Sequence, residues 1–316
     1  MALPVVSPPA YRRLAGAALL ALVVIVVSGA AVRLSGSGLG CSDWPTCEEG
    51  RLAPETVTYA PAMIEFTNRA FTGVVSVAVV LAVLGALRLR SRRRDLTLLA
   101  VGLVVGVAAQ AVLGGLVVRY GLSPWFLMAH FLLPLVLVAD AVVLFTRAGR
   151  PPVRSHPVVD GRTRALGGVL VAFAAVVVVT GTVLTATGPH AGDATAERFG
   201  LVLPDVARSH GVAVVVFLGL TVAFLSLVGR PGVPGVVTDA ARLLLVVLVA
   251  QAAIGYTQWF TGVPAVLVGL HVLGAVVVWV AVLRVQLSLR EVPITGVEVL
   301  LEAPAPGREL SPSGVR

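Results

Sequence analysis

The chain has 316 residues, of which 57% are hydrophobic and only 13% are charged, and its mean hydropathy is +0.96. Ordinary soluble domains carry about 25% charged residues, so this composition excludes a soluble globular protein and indicates a membrane protein that crosses the bilayer several times. All 24 basic residues are arginines, and the formal net charge is +8.

Apolar runs of about twenty residues, long enough to cross a bilayer as helices, occur eight times along the chain. They lie near residues 14–33, 62–88, 95–118, 124–146, 165–187, 205–229, 240–260 and 264–286. The first run is longer than the apolar part of a typical signal peptide, so we expect it to remain as a helix. The predicted fold class is therefore an all-α polytopic membrane protein with eight transmembrane helices.

The arginines are divided unequally between the two sets of loops. One set, together with both chain ends, holds 18 arginines, and the other holds 6. By the positive-inside rule this predicts a protein of the cell membrane with both termini in the cytoplasm. Residues 1–13 are then a cytoplasmic leader, 148–164 a cytoplasmic linker and 287–316 a disordered tail. The positive charge is expected to contact anionic membrane lipid, and no nucleic-acid partner is expected.

Two copies of one 22-residue pattern indicate an internal repeat. The segment 109–130 reads AQAVLGGLVVRYGLSPWFLMAH, and the segment 250–271 reads AQAAIGYTQWFTGVPAVLVGLH. A shift of 141 residues aligns Gln110 with Gln251, Gly114 with Gly255, Gly121 with Gly262 and His130 with His271. This predicts two four-helix halves, at 14–147 and 165–286, related by a pseudo-twofold axis along the membrane normal.

One polar residue lies near the outer end of each even-numbered span. Each follows a proline by six or seven positions, and the four residues are Asn68, His130, His210 and His271. At 1.5 Å per residue, all four lie ~9–10 Å from the outer helix ends. His210 and His271 belong to the second half, and two neutral imidazoles on facing helices are a familiar axial pair for haem iron. A helix–helix hydrogen bond is the alternative; zinc fits less well, because no carboxylate or cysteine shares that depth in the second half.

The first half differs from the second in its polar residues. Asn68 occupies the place that His210 holds in the second half, so a porphyrin bound there would have His130 as its one firm axial ligand and an open or weak side at Asn68. Glu65 and Arg69 lie four residues apart on the same helix face. They are either an ion pair that satisfies both charges or functional groups directed into the bundle, and we favour function because ionisable residues are rare within spans.

Two further features of the outer side bear on a cofactor. Arg69 and Arg208 lie near the outer helix ends, where each could bind a propionate. Cys41 and Cys47, the only cysteines, lie in the long outer loop 34–61, and an oxidising compartment favours a disulfide between them. That disulfide could be a simple loop staple. Covalent haem attachment is not expected, since no CxxCH sequence occurs.

The motifs SGSGLGCSDWPTC and IEFTNR, the eight spans and the three histidines together resemble the haem A synthase family. The resemblance implies a membrane enzyme that oxidises a methyl group of haem O to the formyl group of haem A for terminal oxidases. By position, His210 and His271 would bind a resident haem b, and His130 would face the substrate haem. Glu65 matches the functional glutamate of the family, and the two cysteines match its loop cysteines.

The resemblance also implies a mechanism and a partner. Many members of the family carry a histidine where this chain has Asn68, so ligation of the substrate haem by two histidines is not expected here. The methyl group would undergo two successive oxidations to a geminal diol that loses water. Glu65 would hold the substrate or stabilise positive charge, and Arg69 would anchor a propionate or tune Glu65. The expected partner is haem O synthase, the protohaem farnesyltransferase.

Three other functions remain open at this point. An electron-transfer cytochrome b would have saturated iron in both halves, which Asn68 opposes. A quinone-linked thiol-disulfide oxidoreductase would use Cys41 and Cys47 and would not need the buried histidines. A transporter built from parallel repeats receives little support. The sequence names neither the oxidant nor the electron donor, and it leaves open whether the protein forms a homo-oligomer.

Overall fold

The computed structural model describes residues 5–48, 50–55, 58–151 and 155–291. Within these ranges the chain forms eight long helices and one short antiparallel strand pair. The helices are α1 (Pro8–Leu34), α2 (Ala60–Leu87), α3 (Arg94–Arg119), α4 (Pro124–Ala148), α5 (Gly161–Thr187), α6 (Leu203–Val228), α7 (Gly235–Phe260) and α8 (Ala265–Ser288). Strands β1 (His156–Pro157) and β2 (Arg290–Glu291) pair near the ends of the second half.

All eight helices are long and apolar enough to cross a membrane, so the prediction of an all-α protein with eight spans is confirmed. The first helix starts before the predicted span at residue 14, because Ser7 caps it and prolines occupy its first turn. The Ser7 hydroxyl accepts a hydrogen bond from the Ala10 N–H, which satisfies one of the free donors of a helix start. The last six residues of the predicted leader are therefore helical. Most of the predicted tail, from residue 292 onward, lies outside the described residues.

The helices pack as two groups of four in the same cyclic order. In the first group α1 packs on α2 and α4, and α3 packs on the same two helices. In the second group α5 and α7 each pack on α6 and α8. The groups meet where α8 contacts α1 and α4, and where α4 contacts α5. This arrangement is two four-helix bundles side by side, as the sequence predicted.

A buried apolar core fills one end of both bundles. Its largest fully buried side chains include Tyr11 and Leu144 in the first bundle and Phe217 and Phe224 in the second. Tyr11, Leu144 and Phe224 lie toward the helix ends that the arginine distribution assigns to the cytoplasm, and Phe217 lies near the middle of α6. The polar residues that follow the prolines lie toward the other ends. Apolar packing therefore stabilises the bundles at one end and leaves the outer end for a site.

The same tight turn joins α3 to α4 and α7 to α8. In each turn a glycine and the next residue have positive φ, at 56° and 60° for Gly121 and Leu122 and at 80° and 58° for Gly262 and Val263. The N–H of the second residue bonds to the carbonyl five residues earlier, at 2.8 Å in the first turn and 2.7 Å in the second. A glycine at the first position accommodates the left-handed conformation without strain. Both hairpins consequently enter α4 and α8 with the same geometry.

Candidate functional site

The two histidines of the second bundle lie next to each other. His210 on α6 and His271 on α8 have ring centroids 6.5 Å apart and ring planes inclined by 76°. Two imidazoles bound to opposite sides of one metal ion, with bonds of about 2 Å, have centroids about 6 Å apart. No group of three or more His, Cys, Asp or Glu side chains that could hold a metal ion occurs in the described ranges. An ion between these rings would therefore need ligands of another kind, such as the four nitrogens of a porphyrin.

The His210 ring is held so that one nitrogen is free to bind a ligand. Its Nδ1 lies 3.0 Å from Thr180 Oγ1 on α5, and the same hydroxyl donates to the Val177 carbonyl at 2.9 Å. Because the hydroxyl hydrogen is used on the carbonyl, the hydroxyl accepts from His210 Nδ1–H. The lone pair of Nε2 is then available, as metal ligation requires.

The His271 ring is held by a glutamine on the neighbouring helix. Gln251 Nε2 on α7 donates to the His271 carbonyl at 2.7 Å and lies 3.0 Å from His271 Nδ1. Two glycines give the rings their space: a Cβ at Gly255 would lie 2.9 Å from His271 Cε1, and one at Gly181 would lie 3.2 Å from His210 Cε1. Such distances are shorter than ordinary contacts, so a side chain at Gly255 would displace the His271 ring.

A cavity of about 740 Å³ opens beside the two rings. Most of its walls are apolar or glycine, and the polar side chains at its outer rim include Arg33, His190 and Arg208. Ligand pockets of about 300–1,000 Å³ bury most of a small organic ligand. The size, the apolar walls and the basic rim together suit a flat apolar ligand that carries acidic groups on one edge.

The predicted propionate partner Arg208 lines this cavity, but its side chain is 78% exposed and pairs with Asp205 at 3.0 Å. Arg33, to which the sequence analysis gave no role, lines the same cavity and is only 5% exposed. Its helix α1 belongs to the other bundle, so hydropathy and spacing carried no signal of this placement. His190 also lines the cavity, and its Nε2 donates to the Val263 carbonyl at 2.8 Å.

His130 in the first bundle has the same glutamine contact as His271. Gln110 Nε2 on α3 donates to the His130 carbonyl at 2.8 Å and lies 3.0 Å from His130 Nδ1. Pro134 lies four residues after His130 within α4 and has no N–H to bond that carbonyl. Gln110 supplies the missing donor. A Cβ at Gly114 would lie 3.3 Å from His130 Cε1.

Asn68 occupies the position of the missing fourth imidazole. Its Oδ1 accepts a hydrogen bond of 2.7 Å from Ser28 Oγ on α1. Ser28 has the place in VVSG (26–29) that Thr180 has in VVTG (178–181). Nothing lies within 4 Å of a Cβ built at Gly29, the counterpart of Gly181, because the asparagine is shorter than a histidine. The first bundle thus keeps the hydroxyl and the space that a histidine ring would need.

Glu65 is 7% exposed, and both of its carboxylate oxygens are engaged. Oε2 accepts from the Cys41 N–H at 2.8 Å, and Oε1 accepts from Arg69 Nε at 3.0 Å. Arg69 Nη1 also donates to the carbonyls of Asp43 and Thr46, both at 2.9 Å. The ion pair, which the sequence analysis gave as the alternative to a functional role, is therefore formed, and it also attaches α2 to the outer loop.

The loop segment that Arg69 contacts is a ring closed by the predicted disulfide. Cys41 and Cys47 are bonded and both are buried. Within the ring, the Asp43 carboxylate accepts from Thr46 Oγ1 and from the Trp44 N–H, each at 2.8 Å. These hydrogen bonds, the Thr46 hydroxyl first, hold the pKa of the Asp43 carboxyl below its ordinary value, so it is charged at neutral pH. The ring is thus an ordered unit that rests on Glu65 and Arg69.

Comparison with known proteins places these features in one family. The family model COX15-CtaA, described as cytochrome oxidase assembly protein, matches residues 12–195, more than half of the chain. A protein named Heme A synthase from Lysinibacillus sphaericus (strain C3-41) is 34% identical over 129 residues, which cover 40% of this chain and 41% of that relative.

Proteins of the same name from Listeria welshimeri and Bacillus pumilus (strain SAFR-032) are also similar to this chain. The first is 32% identical over 127 residues, which cover 40% of this chain and 41% of the relative. The second is 33% identical over 125 residues, which cover 39% and 40%. The chain therefore matches about two fifths of the length of these curated relatives, whereas the family model covers nearly all of the first bundle and the first helix of the second. On that match, the chain belongs to the COX15-CtaA family of cytochrome oxidase assembly proteins.

Proposed function

We propose that this protein oxidises a methyl group of haem O to the formyl group of haem A. The observation that carries the proposal is that the two bundles have different polar side chains at equivalent positions. One bundle has two half-buried imidazoles with ring centroids 6.5 Å apart beside a cavity. The other has one imidazole and an amide at the corresponding positions, with Glu65 close by in sequence. Relatives named Heme A synthase support the proposed activity.

The second bundle fits a resident haem b. His210 and His271 would hold its iron through Nε2, and Arg208 at the rim would meet a propionate by exchanging its bond with Asp205. When bound, this group supplies one-electron transfer. The protein's contribution is to orient the two rings and to surround them with apolar walls.

Iron ligation by His271 requires a hydrogen on Nδ1 and an acceptor for it. Gln251 Oε1 is buried without a hydrogen-bond partner among the described residues, and so is Gln110 Oε1 in the first bundle. A rotation of the Gln251 amide that brings Oε1 to His271 Nδ1–H would give up the present Nε2 bond to the His271 carbonyl. Each glutamine is therefore proposed to orient its histidine and to raise the basicity of that ligand.

The first bundle is proposed to bind the substrate haem, with His130 as its axial ligand. Asn68 already accepts from Ser28, and an amide is a poor iron ligand, so the opposite side stays open or weakly bound. Conversion of a methyl group to a formyl group with oxygen from water releases four electrons and four protons. Each of two successive oxidations leaves positive charge at the methyl carbon, to which water then adds. The resulting geminal diol loses water to give the formyl group, and an electron acceptor outside this chain takes up the four electrons.

Glu65 is proposed to stabilise that positive charge with its carboxylate. Arg69 and the Cys41 N–H fix the carboxylate in one orientation, which lowers the reorganisation that the reaction requires. Arg69 would also anchor a propionate of the substrate or tune Glu65. The Cys41–Cys47 ring keeps both side chains in place, and this role does not require the disulfide to cycle.

The rest of the proposal concerns the setting of the enzyme. An internal repeat is supported by two contacts that occur in both bundles. The Ser28–Asn68 contact corresponds to the Thr180–His210 contact, and each glutamine contacts its histidine in the same way. The arginine distribution supports a cytoplasmic membrane location with both termini in the cytoplasm and contact with anionic lipid. Haem O synthase is the proposed source of the substrate.

The test begins with the pigment of the purified protein and continues with its product. We expect a Soret band from haem b, and we expect membranes that also contain haem O synthase to accumulate extractable haem A. Glu65→Gln should lower haem A about a hundredfold and leave haem b unchanged. Glu197→Gln, a change at an exposed loop glutamate, serves as the matched control.

Three outcomes contradict the proposal in different ways. A colourless protein, or haem b that persists after both His210→Ala and His271→Ala, would refute the resident site. Bound haem with no conversion of haem O would indicate an electron-transfer cytochrome. Haem A production at the wild-type level in Glu65→Gln would refute the role of this carboxylate.

A further inference from the structure

Arg33 is a buried cation that belongs to the first bundle and reaches the cavity of the second. It lies in the last turn of α1, in the first bundle, yet it lines the cavity beside His210 and His271 in the second. Arg33 is only 5% exposed. Burial of an arginine is costly unless its charge and its donors are satisfied. The contacts of Arg33 therefore indicate what the cavity is built to receive.

The guanidinium of Arg33 is only partly satisfied. Nη1 donates to the carbonyl of His190, and Cζ lies 5.3 Å from the centroid of the Phe131 ring. Nε is buried without a hydrogen-bond partner, and no carboxylate of the described residues forms an ion pair with this side chain. A carbonyl and an aromatic ring leave the positive charge without a counterion. The missing partner is thus an anion.

Several contacts hold Arg33 against the cavity. His190, whose carbonyl it bonds, is tied to the α7–α8 turn through the Val263 carbonyl. The outer loops are joined by the Gly38 N–H, which donates to the Gly192 carbonyl at 2.9 Å. Leu34 lies 3.4 Å from a Cβ built at Gly269 on α8, so the end of α1 rests on α8. Arg33 is therefore a fixed donor.

We propose that Arg33 binds a carboxylate of the ligand in the second cavity, namely a propionate of the haem held by His210 and His271. This inference rests on the proposed function and extends it. A guanidinium binds a carboxylate through two parallel hydrogen bonds. Arg33 lines the cavity, and its Nε has no hydrogen-bond partner among the described residues. Arg208 is the weaker candidate because it is exposed and paired with Asp205.

The assignment makes the haem of one bundle depend on a residue of the other. Arg33 stacks on Phe131, which directly follows His130. The same side chain consequently touches the α4 segment of the proposed substrate site and the cavity of the resident site. A cation at a propionate also favours the reduced, less positive iron, so removal of Arg33 should lower the midpoint potential of haem b.

The test uses two probes that differ only in their carboxylates, protohaem IX and its dimethyl ester. Apoprotein of the full chain is reconstituted with each, and the two affinities are compared. We expect the wild type to bind the free acid about tenfold more tightly than the ester, or better. Arg33→Met should remove most of this preference, because Arg208 alone remains at the rim, and Arg33→Lys should keep more of it. Arg119→Met, the same change at an exposed residue at the outer end of α3, should keep it fully.

The ratio of affinities separates binding from folding. Misfolded protein lowers the binding of both probes and leaves their ratio unchanged. If Arg33→Met discriminates between acid and ester as the wild type does, the inference is wrong, even though the proposed function stands. If the wild type binds neither probe through His210 and His271, the proposed function itself fails.

Discussion

At the residue scale, Asn68 distinguishes the two bundles. Its counterpart His210 has a hydroxyl partner in Thr180 and ring space at Gly181. Asn68 has the equivalent hydroxyl in Ser28, with open space at Gly29. One side chain has changed while its surroundings have stayed suited to an imidazole.

We therefore expect Asn68→His to fold and to add an axial ligand in the first bundle. With substrate haem bound, the wild type should show a high-spin or weakly ligated iron by electron paramagnetic resonance. The variant should convert that signal to a low-spin one and leave the signal of the resident haem unchanged. Low-spin iron in both sites of the wild type would show that Asn68 does not leave the position open.

Glycine at 255 determines where the His271 ring can lie. A Cβ there would approach His271 Cε1 to 2.9 Å, so Gly255→Ala should displace the ring and lower the haem b content of the purified protein severalfold or more. Gly219→Ala on α6 is the control, because nothing lies within 4 Å of a Cβ at that position. Haem is quantified per protein; equal content in the two variants would contradict this placement of the ring.

At the scale of elements, the outer loop and α2 behave as one unit. Arg69 joins the Asp43 and Thr46 carbonyls to Glu65, and the Cys41 N–H completes the contact. A hydrogen bond to a charged group contributes about 1.5–3 kcal/mol, and Arg69 makes several. The order of the disulfide ring and the orientation of Glu65 should therefore be lost together.

Substitution of Arg69 tests this coupling. Arg69→Met should raise the rate of backbone hydrogen exchange across residues 41–47 about tenfold or more. Arg51→Met in the same loop removes an arginine whose side chain is 60% exposed and paired with Glu55, and it should change exchange little. Exchange that stays at the wild-type rate in Arg69→Met would mean that the disulfide alone orders the ring.

At the scale of the whole molecule, the core and the site occupy opposite ends of the bundles. The apolar core lies toward the arginine-rich loops, and the imidazoles lie toward the disulfide loop. The positive-inside rule then predicts that the site lies near the outer face of the membrane. This is the side on which a disulfide persists.

Labelling of single introduced cysteines checks this orientation, since the native pair is disulfide-bonded. Glu197→Cys and Arg230→Cys are both at exposed positions, in the α5–α6 and α6–α7 connections. An impermeant maleimide applied to right-side-out vesicles should label the first variant and should label the second only after the vesicles are opened. The reverse pattern would invert the predicted topology and place both termini outside.

The sequence alone was sufficient for the eight spans, because hydropathy is a local property. Helix rise is also local, and from it the sequence predicts a similar depth for Asn68, His130, His210 and His271. It also predicted the Cys41–Cys47 disulfide, for which compartment and proximity along the chain suffice. These features depend on a residue and its near neighbours only.

Tertiary structure alone decided which side chains meet across helices. Only the packing of α1 against α8 carries Arg33 into the cavity of the other bundle, and only the folding of the outer loop over α2 brings the Cys41 N–H to Glu65. Neither contact leaves a periodic pattern, because the partners lie on separate elements whose relative positions follow from the packing of the whole molecule. The sequence therefore determined the histidine ligands to be expected, and the packing of the two bundles determined the charge that surrounds them.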